Sequence, residues 1–529
     1  PHTSPSAQKP HTDQSRRFWK LAPAMQLLLG FLVALFGWSM SRDLNHDEHQ
    51  FLAPAALLAN EGLLPFRDYP IFHLPNLTLV YAALNHLTGY PIFAAKLLSV
   101  VCSWGVGVLL LVVSYRRPPF GKPAYAFPCA LFAILLLFFD PLFNYTSGKT
   151  WNHEFPTFLA VIATVLIAEN AARGSWMAAF AAGLCAGIAV GTRLTFAPLL
   201  FPLCLAPLVY PVAVSRKALL AIAFSVGAFA GLAPSLLLYQ AAPEAFLFDN
   251  LQFPRLRLLD PDNERIRKTM SWWRKLRYFI KEIVVPSWPL FAAYLVVGIR
   301  PAVEWFKRRE KPKFASALLL LILPFILAGC FAPSRYQYQH YFVLIPFLVI
   351  GTVYGISTRT LSERLGRIGM VFLLLVSMSL FLRNQTKKEG FAWIARTFQP
   401  EKWFPLRAHE MSAQLHAIVP SGRILTLAPA WATETGLPIY PEFANGPFAW
   451  RAAHLLEKEQ RTRFKLVAPE DLEEFLANDM PAAILLGKES KKPGKESEEL
   501  EAPLRDYAKK HGYQRVEKVK KWELWVRPS

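Results

Sequence analysis

The chain has 529 residues, of which 53% are hydrophobic and 18% charged, with a mean hydropathy of +0.25 and a net charge of +20. A soluble chain would carry about 25% charged residues. The deficit here is local, because apolar runs alternate with short charged clusters, and so many uncharged runs exclude a large soluble protein with buried core helices. A charge of +20 in a soluble protein would suggest nucleic acid; here it follows mostly from the Lys and Arg that gather in the cytoplasmic loops of membrane proteins, so nucleic acid is not an expected partner.

In chain order, residues 1–20 read as a cytoplasmic tail, its first part rich in Pro, Ser, His and Gln and disordered. Crossing the hydrocarbon core takes about 18 or more apolar residues. Leu21–Met40, Leu97–Tyr115, Gly174–Thr192, Leu194–Ser215, Ala218–Pro243 and Phe314–Ser334 meet that length. Pro123–Phe139, Ile283–Ile299, Tyr341–Thr358 and Ile368–Leu382 are borderline, and Phe155–Ala168 is short but lies between accepted spans. The reading is a mainly α, polytopic bundle of about eleven transmembrane helices over residues 21–383. Arg16, Arg17, Lys20, Arg116, Arg117, Lys122, Arg216, Lys217, Lys307, Arg308, Arg309, Arg359, Arg364 and Arg367 all fall on one side of this topology. An inside N-terminus makes that side cytoplasmic. The expected location is therefore a bacterial inner membrane, with residues 384–529 periplasmic.

The first outer loop, residues 41–90, opens with Asn45-His46-Asp47-Glu48-His49-Gln50. Phe51–Asn60 has the pattern of an amphipathic helix lying in the membrane interface, and Leu74–Leu87 reads as a second interfacial or re-entrant helix. Asp140–His153 is the second outer loop, leading into Glu154. Arg193 sits in a tight outer turn. The third outer segment, residues 243–282, carries nine Arg and Lys residues together with Trp272-Trp273, side chains that favour the headgroup zone. From Asn384 onward the composition is that of a soluble α/β domain. Residues 422–427, 482–486 and 522–527 read as strands, 470–478 and 500–511 as helices, and 488–499 as a charged loop.

A carboxylate just outside the membrane can act as a general base on an acceptor hydroxyl or amine, and Asp47 and Glu48 stand at that rim. Asp68, His73, His153 and Glu154 are candidate supporting residues, since ionisable groups at the ends of spans are usually functional. Arg binds phosphate oxygens bidentately and keeps its charge. Arg193, Arg255, Arg257, Arg265 and Arg335 are therefore candidates for holding a lipid phosphate, with His340 beside them. Together they suggest a polyprenyl-phosphate-sugar donor, a glycan, lipid or protein acceptor, and membrane lipid around both. No cofactor is required. Asp47, Glu48, Asp68, His73 and His153 match no standard metal spacing, and a divalent metal stays an open alternative. The five cysteines, Cys102, Cys129, Cys185, Cys204 and Cys330, lie in or beside the apolar runs and suggest no disulfide framework.

The segments Asp47-Glu48-His49-Gln50-Phe51, Gly62, Pro65-Phe66-Arg67-Asp68-Tyr69-Pro70 and His73-Leu74-Pro75 resemble the first outer loop of the GT-C glycosyltransferases. They are most similar to protein O-mannosyltransferases and to the bacterial aminoarabinose transferases that modify lipid A. Gly183-Leu184, Gly187, Gly191-Thr192-Arg193, Gly231-Leu232-Ala233-Pro234 and Gln339-His340-Tyr341-Phe342 extend the likeness over residues 21–382. The resemblance implies inverting sugar transfer from a polyprenyl- or dolichyl-phosphate donor, with Asp47 as general base and Glu48 supporting it. His73 stands where the aminoarabinose enzymes have Lys, and their Pro pair is Leu74-Pro75 here, which leaves sugar and acceptor open. The alternatives are a transporter or flippase of lipid-linked sugars and a non-catalytic membrane scaffold.

Overall fold

A computed structural model describes residues 11–256, 271–298, 306–307, 313–333, 336–357, 363–386, 390–487, 495–516 and 522–528. Helix α1, His11–Met40, begins well before its apolar run, so the end of the expected tail is helical. An established helix extends at one hydrogen bond per residue, without a second nucleation cost. Then follow α2 (His49–Glu61), α3 (Asn76–Leu87), α4 (Pro91–Arg116), α5 (Ala126–Phe139), α6 (Pro141–Thr146), α7 (Glu154–Asn170), α8 (Trp176–Thr192), α9 (Ala197–Leu205) and α10 (Val214–Ala241). Beyond them lie α11 (Trp288–Gly298), α12 (Phe314–Phe331), α13 (Leu344–Ile356) and α14 (Glu363–Thr386).

The described parts of the apolar runs read from the sequence are largely helical, but Leu194–Ser215 is divided among short helices and leaves helical structure after Val209, and Ile283–Ile299 crosses a sharp bend. Among the described residues, six helices are long and apolar enough to cross a membrane: Ala22–Met40, Pro91–Gly121, Val214–Ala241, Phe314–Phe331, Tyr338–Ile356 and Glu363–Gln385. A seventh candidate is the pair Trp272–Val284 and Trp288–Val297, bent by 94°. Pro123–Phe139, Trp176–Thr192 and Leu194–Val209 are apolar but shorter. The sequence count of eleven therefore included runs that do not reach spanning length as single straight helices. Burial separates the centre from the rim: 89% of the Tyr338–Ile356 window is buried inside the protein, against 11% for Glu363–Gln385. The α14 side chains are thus left to lipid.

The closest helix contact is between α8 and α10, and glycine permits it. A Cβ on Gly183 would lie 1.9 Å from the Phe224 carbonyl oxygen, and one on Gly187 2.1 Å from that of Ala228. From the other helix, a Cβ on Gly227 would lie 2.1 Å from the Phe180 oxygen. Facing small residues let backbones approach where lipid supplies no hydrophobic drive. Asn76, in the first turn of α3, inserts at this crossing and donates to the carbonyls of Gly231 (3.0 Å) and Ile188 (3.3 Å).

The outer segments differ from the sequence reading in two places. Helix α2 is buried along His49–Leu57. Its apolar side chains pack with Trp431, Leu437 and Ile439 in one core, so protein, not the membrane interface, covers it. The second outer loop contains α6, whose N-terminus is capped by Asp140 accepting from the amides of Leu142 and Phe143, each at 2.9 Å. An Asp-Pro pair at Ncap and N1 starts a helix readily.

After residue 390 the chain builds an α/β unit with α15 (Phe404–Ile418), β1 (Ile424–Thr426), β2 (Ala483–Leu486), α16 (Lys495–Lys510), β3 (Gln514–Arg515) and β4 (Glu523–Val526). The sheet order is β1-β2-β4-β3, with β1–β2 parallel and the other pairs antiparallel. Strands β1 and β2 are wholly buried, as continuous apolar runs should be. Residues 488–494 lie outside the described residues, and the expected charged loop is already helical at Lys495. The unit docks on the membrane module by polar contacts. Glu434 accepts from the Ile92 amide in the first turn of α4 (2.9 Å) and meets His409 at 3.2 Å. Asn445 donates to the Pro70 carbonyl at 2.5 Å.

We expect Gly187→Leu to lower the thermal unfolding midpoint of the purified protein, at a cost of about 1–3 kcal/mol for overpacking. Gly30→Leu should leave the midpoint in place, because nothing lies within 4 Å of that position.

Candidate functional site

The first outer loop turns sharply at His46–Glu48, a single 3-10 turn. Asn45 and Glu48 cap it reciprocally: the Asn45 side chain accepts from the Asp47 amide (3.0 Å), and Glu48 Oε2 accepts from the Asn45 amide (2.6 Å). Glu48 is fully buried, and its other oxygen accepts from the Thr150 amide (2.7 Å) and hydroxyl (3.0 Å). Its carboxylate is therefore occupied in joining the two outer loops. Asp47, one residue earlier, faces the other way. Its side chain is 19% exposed and meets His46 Nε2 at 3.1 Å. Burial pushes its pKa up, but the His46 contact and the fields of Lys149 and His73 outweigh this and hold it below the ordinary value. Asp47 is thus ionised at neutral pH.

His73 stacks on Phe51, with ring centres 4.9 Å apart. Its Nε2 donates to Gln50 Oε1 at 2.9 Å, while Gln50 Nε2 donates to the Asp47 carbonyl at 3.0 Å. Burial, then the charge on Arg193, pushes the His73 pKa down to about 3. It is a neutral donor that positions the Asp47 turn.

The second outer loop is held from below by the end of α1. Arg42 donates to the carbonyls of Asn144, Tyr145 (3.1 Å) and Ser147 (2.7 Å), and Trp38 Nε1 donates to Asn144 at 3.1 Å. Cations and donors are favoured at a helix C-terminus, and here they close α6. Ser39 Oγ donates to the Gly148 carbonyl at 2.8 Å. Gly148 has φ +80°, and a Cβ there would lie 2.7 Å from that of Ser39, so glycine is required. Lys149 then places its ammonium 4.0 Å from the Tyr145 ring centre and 3.7 Å from that of Trp151.

His153 ends this loop and precedes α7. Arg193, between α8 and α9, donates Nη1 to His153 Nδ1 (2.7 Å) and to Asn152 Oδ1 (3.1 Å), and Nε to Thr195 Oγ1 (3.1 Å). Accepting from a guanidinium requires a neutral imidazole. Burial pushes the His153 pKa well down, and the charge on Arg193 pushes the same way. Arg193, His153, His340, Thr157 and Thr195 line a cleft together with Phe196, Leu199, Phe325, Ile326, Gly329, Cys330 and Val343. The cleft thus combines polar groups with apolar side chains from α9 and α12. Glu154, buried at the start of α7, has Ser99 and Lys149 among the groups acting on it.

Several expected site residues stand elsewhere. Asp68 accepts from the Leu64 amide (2.7 Å) and pairs with Arg67 at 2.7 Å, so it shapes a turn that includes Phe66 at φ 66°. Arg255 is exposed on the short helix Phe253–Leu256 and is not among the residues that line the cleft. Arg257, Arg265 and Arg335 lie outside the described residues. Among the described residues, no three of His, Cys, Asp and Glu converge as ligands for a metal ion. Lys149 and Thr150 are not singled out by the sequence reading. The one available signal was a lone Lys between Tyr145 and Trp151 in a loop already rich in polar groups.

No family model and no curated protein matches this chain. Among solved structures, it is similar to ArnT from Cupriavidus metallidurans bound to undecaprenyl phosphate, at 12% identity and a TM-score of 0.56 over 96% of this chain and 98% of that one. The apo state of the same protein aligns with a TM-score of 0.55 at 13% identity, over 95% and 98%. An oligosaccharyltransferase from Archaeoglobus fulgidus aligns at 0.46 and 11%, over 87% and 69%. The chain thus has the fold of ArnT from end to end, and the GT-C resemblance read in its sequence is matched at the level of fold.

Glu48→Ala should cost on the order of 2–3 kcal/mol, because it strips a charged acceptor from three donors. Asp47→Asn should cost little. Thermal unfolding of the two purified variants separates the structural carboxylate from the available one.

Proposed function

We propose that the protein is a glycosyltransferase that moves a sugar from a polyprenyl-phosphate donor to an acceptor on the outer, periplasmic face of the membrane. The observation that carries this reading is the mixed polar and apolar cleft beside the outer loops. Arg193, with His153 and His340, offers hydrogen-bond donors, and the walls of α9 and α12 offer an apolar bed for the lipid tail. The similar ArnT fold, seen with undecaprenyl phosphate bound, supports it.

In this reading the donor phosphate lies against Arg193. The acceptor hydroxyl or amine approaches the sugar from the Asp47 side. Asp47 takes the proton as the new bond forms at the anomeric carbon. The bond from that carbon to the phosphate oxygen breaks, and its electron pair leaves with the lipid phosphate. Attack opposite the leaving group inverts the anomeric centre. Arg193 offsets the charge gathering on the leaving phosphate, an interaction that is strong because the site is partly withdrawn from water. Glu48 positions Asp47.

Purified protein given radiolabelled polyprenyl-phosphate-sugars should release sugar, and Asp47→Asn should lose about 10²–10⁴-fold in rate, the usual contribution of a general base, while still binding donor. Equal turnover by Asp47→Asn would move the base to Glu154. Labelled lipid crossing reconstituted vesicles without sugar release would replace transfer by transport.

A further inference from the structure

Building on the lipid-phosphate reading, we infer that Lys149 is a second phosphate-binding cation of the site, holding the donor phosphate from the side opposite Arg193. The basic groups around Asp47 differ in how much donor capacity they have left. Arg42 is committed to three backbone carbonyls at the end of α6. Arg193 has Nε and Nη1 engaged by Thr195, Asn152 and His153. His73 gives its Nε2 proton to Gln50. Lys149 is different. Its ammonium touches the Tyr145 and Trp151 rings, yet no described carboxylate lies within ion-pair distance and no described acceptor takes its protons. Glu48, the nearest carboxylate in sequence on the facing loop, is consumed by Asn45 and Thr150. A half-buried ammonium with three unused donors calls for an anion.

The position is built. Ser39 holds the Gly148 carbonyl, Arg42 holds that of Ser147, and Glu48 holds Thr150, so the residues on either side of Lys149 are anchored before any ligand arrives. The aromatic pair offsets part of the cost of a cation away from water and fixes its direction. Trp151 also links it to the cleft: its ring centre is 5.6 Å from that of His153, the residue that Arg193 holds. Charge-assisted hydrogen bonds to phosphate run about 2.8 Å, so a single phosphate spans two nitrogens about 8 Å apart. In the proposal, a phosphate over the loop 149–153 is shared between Lys149 and Arg193.

The groups facing Lys149 set its charge. Burial pushes its pKa down, and Arg42 pushes further; Glu48, Asp47 and Glu154 pull it back, and it settles at about 7. Lys149 is therefore charged below pH 7 and neutral above it, so its share of phosphate binding is present on the acid side and fades on the alkaline side. Arg at the same position would stay charged throughout.

The test is binding of undecaprenyl phosphate, with undecaprenol and inorganic phosphate as comparison probes, to the purified full-length protein and its Lys149→Met and Lys149→Arg variants at pH 6 and pH 9. We expect Lys149→Met to weaken undecaprenyl phosphate binding tenfold or more at pH 6 and little at pH 9. Lys149→Arg should match the wild type at pH 6 and bind more tightly than it at pH 9. Undecaprenol binding should not change, and inorganic phosphate should compete more weakly with Lys149→Met than with the wild type. Wild-type affinity and an unchanged pH profile in Lys149→Met would overturn the assignment while leaving the donor reading intact. Failure of the wild type to bind undecaprenyl phosphate at either pH would overturn both.

Discussion

The buried carboxylate of Glu48 is the constraint on which the outer face depends. Its two oxygens join segments about a hundred residues apart in sequence, the turn after α1 and the loop before α7. A carboxylate removed from water is tolerable only when its lone pairs are met, and here three donors meet them. That arrangement leaves the adjacent Asp47 turned outward. Two acidic residues in sequence thus have different surroundings: Glu48 is fixed inside, and Asp47 is partly exposed beside His46. The same clamp sets the loop that carries Lys149, Trp151 and His153.

Around this clamp the electrostatics are lopsided. Histidines 73 and 153 are kept neutral by burial and by neighbouring cations, so the positive charge sits on Arg193 and, below neutrality, on Lys149. Neutral imidazoles beside a guanidinium act as hydrogen-bonding spacers. They orient Arg193 without competing for an anion, and they add no repulsion.

The outer α/β unit is part of the same construction. Its Glu434 accepts from an amide in the first turn of α4, where the helix dipole favours negative charge, and its core is continuous with α2 and α3. Phe448 approaches His46, with ring centres 6.0 Å apart, so the unit reaches the residue next to Asp47. It roofs the first outer loop and makes α2 an internal helix.

Much of this was legible in the residues themselves. Apolar runs specify a bundle of apolar helices, because transfer into hydrocarbon acts on local composition. Buried strands such as 424–426 and 483–486 declare themselves by unbroken apolar character. The Asp47-Glu48 pair was visible as a candidate from its position at the end of α1. What only the tertiary structure decided is that Glu48 is buried and clamped while Asp47 is partly exposed, that Asp68 belongs to a turn, that α2 is covered by protein, and that Lys149 packs against Tyr145 and Trp151. The first and third of those outcomes depend on partners distant in sequence — Thr150 for Glu48, Trp431 for α2 — and no local pattern encodes a contact whose other half lies a hundred or more residues away.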